Sequence, residues 1–300
     1  MTASTFKNNP NIFALGSFEF DLQREFGKYF QVGAALVSSS ERADLAVGFI
    51  DFHLLGGPIP ARGNVLLESG FHLQVGRFDI PFGNDWQDFA SLDRTTISAP
   101  LTTTLVMNGG YNDVGLCVLG NWSFLSYAAY LLKGQEKGFS LGGRLAFIPF
   151  NNPFTLTQRE SQPLDVGFSY IHDFDQRGHT ELYQLAVDLD ARLSVLRVRA
   201  EYLRKHDGLA AQVQDGVHTS LFASFFEGGT LPFGFCGRFD LFRSRPLDLP
   251  GEQRINRLTA SGYLRLFEVA VVKLEYFHYL KGYDSYEGGS VFAQLVIGFK

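Results

Sequence analysis

Charged side chains recur at alternate positions of several segments that read as strands. Arg144, Arg197, Arg199, Arg238, Arg257, Arg265 and Lys273 fall opposite an apolar face, and so do Glu19, Asp21, Asp51, Asp165, Asp188, Glu201, Asp240 and Glu275. Alternate residues of a strand share a face, so these groups build one polar surface of mixed sign, with its basic members concentrated in the second half of the chain. Such a surface supports two kinds of chemistry. Guanidinium rows attract anionic solutes, as charged rings do in pores, or they pair across strands with Glu201, Asp240 and Glu275 and stiffen a wall. Both readings stand at the level of sequence.

Reaction chemistry is harder to find. The histidines at 53, 72, 172, 179, 206, 218 and 278 include no His-x-x-x-His pair, and there is no phosphate-cradling glycine loop. His218 and Ser220 share a strand face and are the nearest approach to a nucleophile and its base, a spacing that chance supplies often. Cys117 and Cys236 form no CxxC or Cys/His spacing and read as two unpaired thiols. No catalytic residue, no metal site and no cofactor is therefore expected. A net charge of -5 and a pI near 5.8 give no basic surface for nucleic acid.

The elements that carry these charges alternate apolar and polar residues. In Phe139 to Phe147, residues Phe139, Leu141, Gly143, Leu145 and Phe147 take one face and Ser140, Gly142, Arg144 and Ala146 the other. In 256 to 266, Leu258, Ala260, Gly262, Leu264 and Leu266 oppose Arg257, Thr259, Ser261, Tyr263 and Arg265. Segments of about ten residues of this kind, separated by turns, are the signature of a membrane β-barrel. Fifteen are readable: near 12–22, 28–38, 42–54, 69–80, 112–120, 122–134, 138–148, 163–173, 180–190, 193–205, 216–226, 233–244, 254–267, 269–281 and 290–300. An antiparallel barrel whose first strand pairs with its last needs an even number, so about 16 strands are expected, with 14 to 18 as the range. The extra strand is expected at residues 1–9 or upstream. The whole of 1–300 reads as a single barrel domain.

No run approaches the roughly 20 apolar residues of a membrane helix, and a closed barrel is the other structure that satisfies its backbone in lipid. Connections at Gly120-Asn121, Ala191-Arg192 and Phe267-Glu268 are expected to be tight. Those at 81–111, 206–215, 245–253 and 282–289 are longer. This alternation predicts a periplasmic C-terminus and an external 81–111 segment. The tyrosines at 127, 130, 170, 183, 202, 276 and 279 suit interfacial girdles where they face outward. Met1 to Asn11 shows neither an apolar h-region nor a cleavage site, so the numbering is expected to start on a processed or trimmed chain with an added Met1.

The most distinctive stretch is Phe71-His72-Leu73-Gln74-Val75-Gly76-Arg77-Phe78-Asp79-Ile80-Pro81-Phe82-Gly83, followed by Ser91-Leu92-Asp93-Arg94 and Ala99-Pro100-Leu101. It resembles the phosphate-selective and related outer-membrane porin superfamily, in which a Gly-Arg/Lys-Phe-x-x-Pro-Phe-like run leads from a strand into a constriction loop. Phe292-Ala293-Gln294-Leu295-Val296-Ile297-Gly298-Phe299 resembles the closing strand of such barrels, with Lys300 added after the usual terminal aromatic. Residue by residue, Gly76 permits close strand packing or a kink, Pro81 ends ladder pairing and Gly83 starts the loop; Arg77, Phe78 and Phe82 complete the motif. The resemblance implies a loop at 84–111 folded into the lumen, with Asp93 and Arg94 as eyelet candidates. The alternative is that those two serve a local turn.

These features imply an outer-membrane porin of a Gram-negative bacterium: a passive channel for small hydrophilic solutes or inorganic anions, embedded in outer-membrane lipid and, by the resemblance, a homotrimer. A second expectation is a structural barrel that sheaths or anchors a partner protein, such as an electron-transfer component. A soluble β-sandwich or lipocalin-like binder would leave the Phe139/Leu141/Leu145/Phe147 faces as an apolar surface far larger than soluble monomers tolerate.

Overall fold

The computed structural model describes residues 18–38, 43–59, 70–88, 94–108, 110, 112–134, 138–149, 164–174, 180–208, 210–225, 232–247, 251–266, 270–282 and 286–297. They form one antiparallel meander of fifteen strands. The first five are β1 (Phe18–Phe26), β2 (Phe30–Ser38), β3 (Ala43–Leu55), β4 (Gly70–Asp79) and β5 (Asn112–Trp122). Next come β6 (Leu125–Leu132), β7 (Phe139–Phe147), β8 (Leu164–Phe174), β9 (Thr180–Leu193) and β10 (Leu196–Asp207). The last are β11 (Gln212–Phe225), β12 (Phe233–Pro246), β13 (Gln253–Leu266), β14 (Ala270–Lys281) and β15 (Gly288–Ile297). Each strand pairs with its sequence neighbours in order from β1 to β15. The expected strand at residues 1–9 lies outside the described residues. Among the described residues no helix is long and apolar enough to cross a membrane.

Alternation decides which way each side chain points. On β7, Phe139, Leu141, Leu145 and Phe147 are exposed, whereas Ser140, Arg144 and Ala146 are buried. On β14, Val272, Leu274 and Tyr276 are exposed, and the charged Lys273 and Glu275 between them are each only 1% exposed. The inversion of the usual soluble pattern, apolar outside and ionic inside, runs through most of the sheet. Sheet curvature makes the ionic face an interior. Side chains of β7, β8 and β10 all reach the adjacent residues Gly83 and Asn84. In a flat sheet β7 and β10 would stand about 14 Å apart, so the wall bends around this segment.

Two hairpins close later than the sequence pattern suggests. The connections expected at Gly120-Asn121 and Ala191-Arg192 are strand in the structure, and the turns fall at Ser123-Phe124 and Ser194-Val195. In both, the serine carries the left-handed backbone a tight hairpin needs, at φ 55°. Tyr130 is 2% exposed and faces inward, and Tyr279 lies on the inner row with Lys273 and Glu275, so neither belongs to an outer girdle.

Candidate functional site: an inward segment and the wall that holds it

After β4 the chain leaves the sheet and crosses its concave face. Gly76 prepares the departure: its φ of +133° suits glycine, and a Cβ there would strike the Gly48 carbonyl oxygen and the Phe49 Cα. Arg77 ties the end of β4 to β5 by donating from Nε to Asn112 Oδ1 at 2.9 Å and from a terminal nitrogen at 2.6 Å. Phe78, Ile80, Pro81 and Phe82 are buried as the strand ends. Gly83, at φ +65°, passes so close to the wall that a Cβ would overlap the Glu201 carboxylate. Beyond it come a 3-10 turn at Asp85–Asp88 and a π-helical turn at Thr102–Val106.

A segment with so little secondary structure carries backbone groups that need partners, and the wall supplies them. Gly83 N–H donates to Ser169 Oγ at 3.0 Å, and its carbonyl accepts from Arg144 Nε at 3.1 Å. Asn84 N–H donates to Glu201 at 2.8 Å, and its carbonyl accepts from Arg199. The Arg94 carbonyl accepts from Lys273 Nζ at 2.5 Å. Ile97 and Ser98 N–H both donate to Glu275, at 2.7 and 3.1 Å. The carbonyls of Ser98 and Ala99 accept from Arg238, Ala99 also accepts from Arg257 at 2.7 Å, and Leu101 N–H donates to Asp240 at 3.1 Å. Hydrogen bonds to charged groups contribute about 1.5–3 kcal/mol each, so this set is a substantial anchor.

The charges also neutralise one another. Arg144 sits 2.5 Å from Asp188 and 3.3 Å from Asp165, and Gly167 leaves the room for that pair, since a Cβ there would run into both partners. Arg238 and Arg257 each approach Asp240 at 3.0 Å. Arg199 pairs with Asp88 of the segment, and Arg197 with Asp190 at 2.5 Å. Arg144, Arg199, Arg238 and Arg257 are all buried, whereas Arg265 lies exposed near the end of β13, away from this cluster. Of the eyelet candidates, Arg94 donates within the segment, to the Asp88 carbonyl at 2.9 Å and to Asp85 at 3.1 Å; Asp93 lies outside the described residues.

Asp85 is the internal tie of the segment, accepting from Arg94 and, at 2.7 Å, from the Thr103 hydroxyl. Burial works to raise this carboxyl. Arg94, the Thr103 hydroxyl and Arg199 outweigh burial and hold it below the ordinary carboxylate value. The π-helical turn packs on β10, β11 and β12, where Gly216 leaves space: a Cβ there would lie 2.8 Å from Thr102 Cγ2. His218 faces Thr102 Oγ1 at 3.0 Å, so the histidine of the His218/Ser220 pair is engaged by the segment.

On the other side of the interior, Phe78, Ile80, Phe82, Trp86, Leu101, Val106 and Met107 join a buried apolar cluster with Val47, Phe49, Leu119, Ala128 and Leu132 of the wall. Sequence reading missed one group on this side. Asp51 and His53 of β3 and His72 of β4 converge within 4.8 Å. A search for His-x-x-x-His applies helical spacing; the informative signal on a strand is Asp-x-His, with a second histidine opposite in register.

No protein-family model and no curated protein matches the sequence. Solved structures do. An anion-selective porin from Comamonas acidovorans aligns at 12% identity over 94% of this chain and 84% of that one, with a TM-score of 0.58. A loop L8 deletion mutant of OmpT, an outer membrane protein of Vibrio cholerae, aligns at 8% identity over 92% and 88% of the two chains, with a TM-score of 0.57. In-vitro folded OmpT in its trimer form gives 7% identity, 93% and 86% coverage, and 0.55. At such identities the likeness concerns the fold, which is a porin-type antiparallel β-barrel.

Proposed function

We propose that this chain is an outer-membrane porin, a passive channel for small hydrophilic solutes whose lumen is narrowed by its own 84–111 loop. The observation that carries the reading is the inverted wall: an apolar band outside, and an ionic interior crossed by an irregular segment. Such an exterior suits lipid, where charged side chains cost about 2–4 kcal/mol at mid-depth. Strands of 8 to 14 residues bracket the roughly 9–11 that a tilted strand needs to span a bilayer.

The Comamonas acidovorans neighbour is described as anion-selective. In this chain Arg144, Arg199, Arg238 and Arg257 are spent on carboxylates and on the segment's carbonyls, which supports weak charge selectivity over a guanidinium ladder open to solutes. The chain's own segment occupies the face that a sheathed partner protein would need, which supports the channel over the sheath. A homotrimer fits the trimer form of one neighbour.

Purified protein in a planar bilayer tests the proposal. Discrete conductance steps are expected, with a reversal potential near zero in a salt gradient. A lasting absence of steps overturns the channel, and a large reversal potential of anionic sign restores the guanidinium ladder.

A further inference from the structure

Asp51 lies between two imidazoles. Its Oδ2 stands 3.1 Å from His53 Nδ1 and 2.9 Å from His72 Nδ1, and the two rings lie 5.7 Å apart at 36°. The side chains of all three are nearly inaccessible, at 0% for Asp51, 5% for His53 and 6% for His72. Asp51 Oδ1 is buried and has no hydrogen-bond partner among the described residues.

A buried carboxylate with one idle oxygen is costly unless a cation meets it, and the described residues place no lysine or arginine in an ion pair with Asp51. Both imidazoles meet the same oxygen of Asp51, which leaves the other oxygen unanswered. Gln31, opposite Asp51 in register, is occupied elsewhere: its Oε1 accepts from Ile59 N–H at 2.9 Å and its Nε2 donates to the Ile59 carbonyl. Gln74, opposite on the other side, carries no charge.

We propose that Asp51, His53 and His72 bind a divalent transition cation of the zinc class. Two imidazoles and one carboxylate form a donor set typical of such ions, whereas calcium and magnesium take oxygen ligands. Tetrahedral coordination with bonds of about 2.0–2.1 Å separates ligand atoms by about 3.4 Å; the contacts of Asp51 to the two imidazoles, at 3.1 and 2.9 Å, need lengthening by a few tenths of an ångström, the donor atoms already lie within 4.8 Å of one another, and three protein ligands leave a fourth position for water or a solute group. The strand pairing preorganises the set, because His53 faces His72 directly across the β3–β4 ladder.

The test uses the full chain, folded in detergent and stripped with chelator. Isothermal titration with zinc chloride is expected to show one saturable equivalent, and cobalt(II) to give the visible absorption of a low-symmetry site. Asp51→Asn keeps the shape and removes the charge. It and a His53→Gln/His72→Gln double variant are expected to lose more than the about 10–100-fold that second-shell changes cost, with strand content unchanged by circular dichroism. Cys117→Ser is expected to bind as the parent does. No saturable zinc in the parent overturns the site, as does binding that survives in the double variant. If the double variant does not fold, the Asp51→Asn titration and the parent's cobalt spectrum decide in the same way.

Discussion

The two halves of the interior follow different rules although the outer face is the same along both. From β7 to β14 the inner face is ionic, and its charges meet backbone: N–H and C=O groups of residues 83–101 that have left the sheet. From β2 to β6 the inner face carries Ala35, Val47, Phe49, Leu119, Ala128 and Leu132 against apolar side chains of the same segment, and its buried charge is Asp51 beside His53 and His72. The difference teaches that the arginines and most carboxylates of this wall stand where the crossing segment presents unmet backbone hydrogen bonds. Where the segment presents apolar side chains, the wall meets them with apolar residues and keeps Asp51 with two imidazoles.

The largest effect that sharpens this contrast is expected from Arg144→Met, which takes the Arg144 guanidinium away from the buried Asp165 and Asp188 and a donor away from the Gly83 carbonyl. Removing one partner of a buried pair costs about 3–5 kcal/mol, to be read as a lower unfolding midpoint in detergent, together with noisier open-channel current as the segment loosens. Next comes Leu119→Ala on the apolar half, for which a core truncation predicts about 2–5 kcal/mol in the same melt. Its channel noise is expected to stay at the parental level. Equal noise from both variants would erase the distinction between the halves.

A smaller loss, about 1–3 kcal/mol of overpacking, is expected from Gly216→Val, which pushes on Thr102 and Val106. Displacement of the π-helical turn should change single-channel conductance more than it changes the melt. Acidification should have the least effect. Because the Asp85 carboxyl is held below its ordinary 3.8, its contribution is complete above that value and disappears only as pH falls through the lower folded value. The gap in unfolding midpoint between the parent and Asp85→Asn is therefore expected to stay constant from pH 7 to about 4. A gap that closes near pH 5 would remove Asp85 as the tie between Arg94 and Thr103.

Local pattern carried the wall and little of the interior's pairing. Fifteen strands are legible from alternation because a slip of one residue would reverse every side chain; the first, expected at 12–22, runs over Phe18–Phe26 and shows no alternation in its burial. The hairpins at Ser123 and Ser194 were displaced because alternation continues through Trp122 and Leu193 into the turns themselves, and a left-handed serine carries none of the glycine or asparagine marks by which such turns are read. The inward charges were legible as a set, but their partners were not: Glu275 and Ser98 are 177 residues apart, and no periodicity links them. The Asp51 cluster needed the β3–β4 register, which places His72 opposite His53 across the connection between Leu55 and Gly70.

The bonds between Ser98 and Glu275 also fix an order of events. The segment is synthesised well before the strands that hold it, and its last anchors, Lys273 and Glu275, belong to the penultimate strand of the described sheet. The seating of residues 94–98 must therefore be a late step of assembly, waiting on a closure that spans more than half the chain. A barrel truncated before β14 would keep the bonds at Gly83, Asn84 and Leu101 and lose those at Arg94, Ile97 and Ser98, so the wall fastens its interior in stages and completes the fastening with its penultimate described strand.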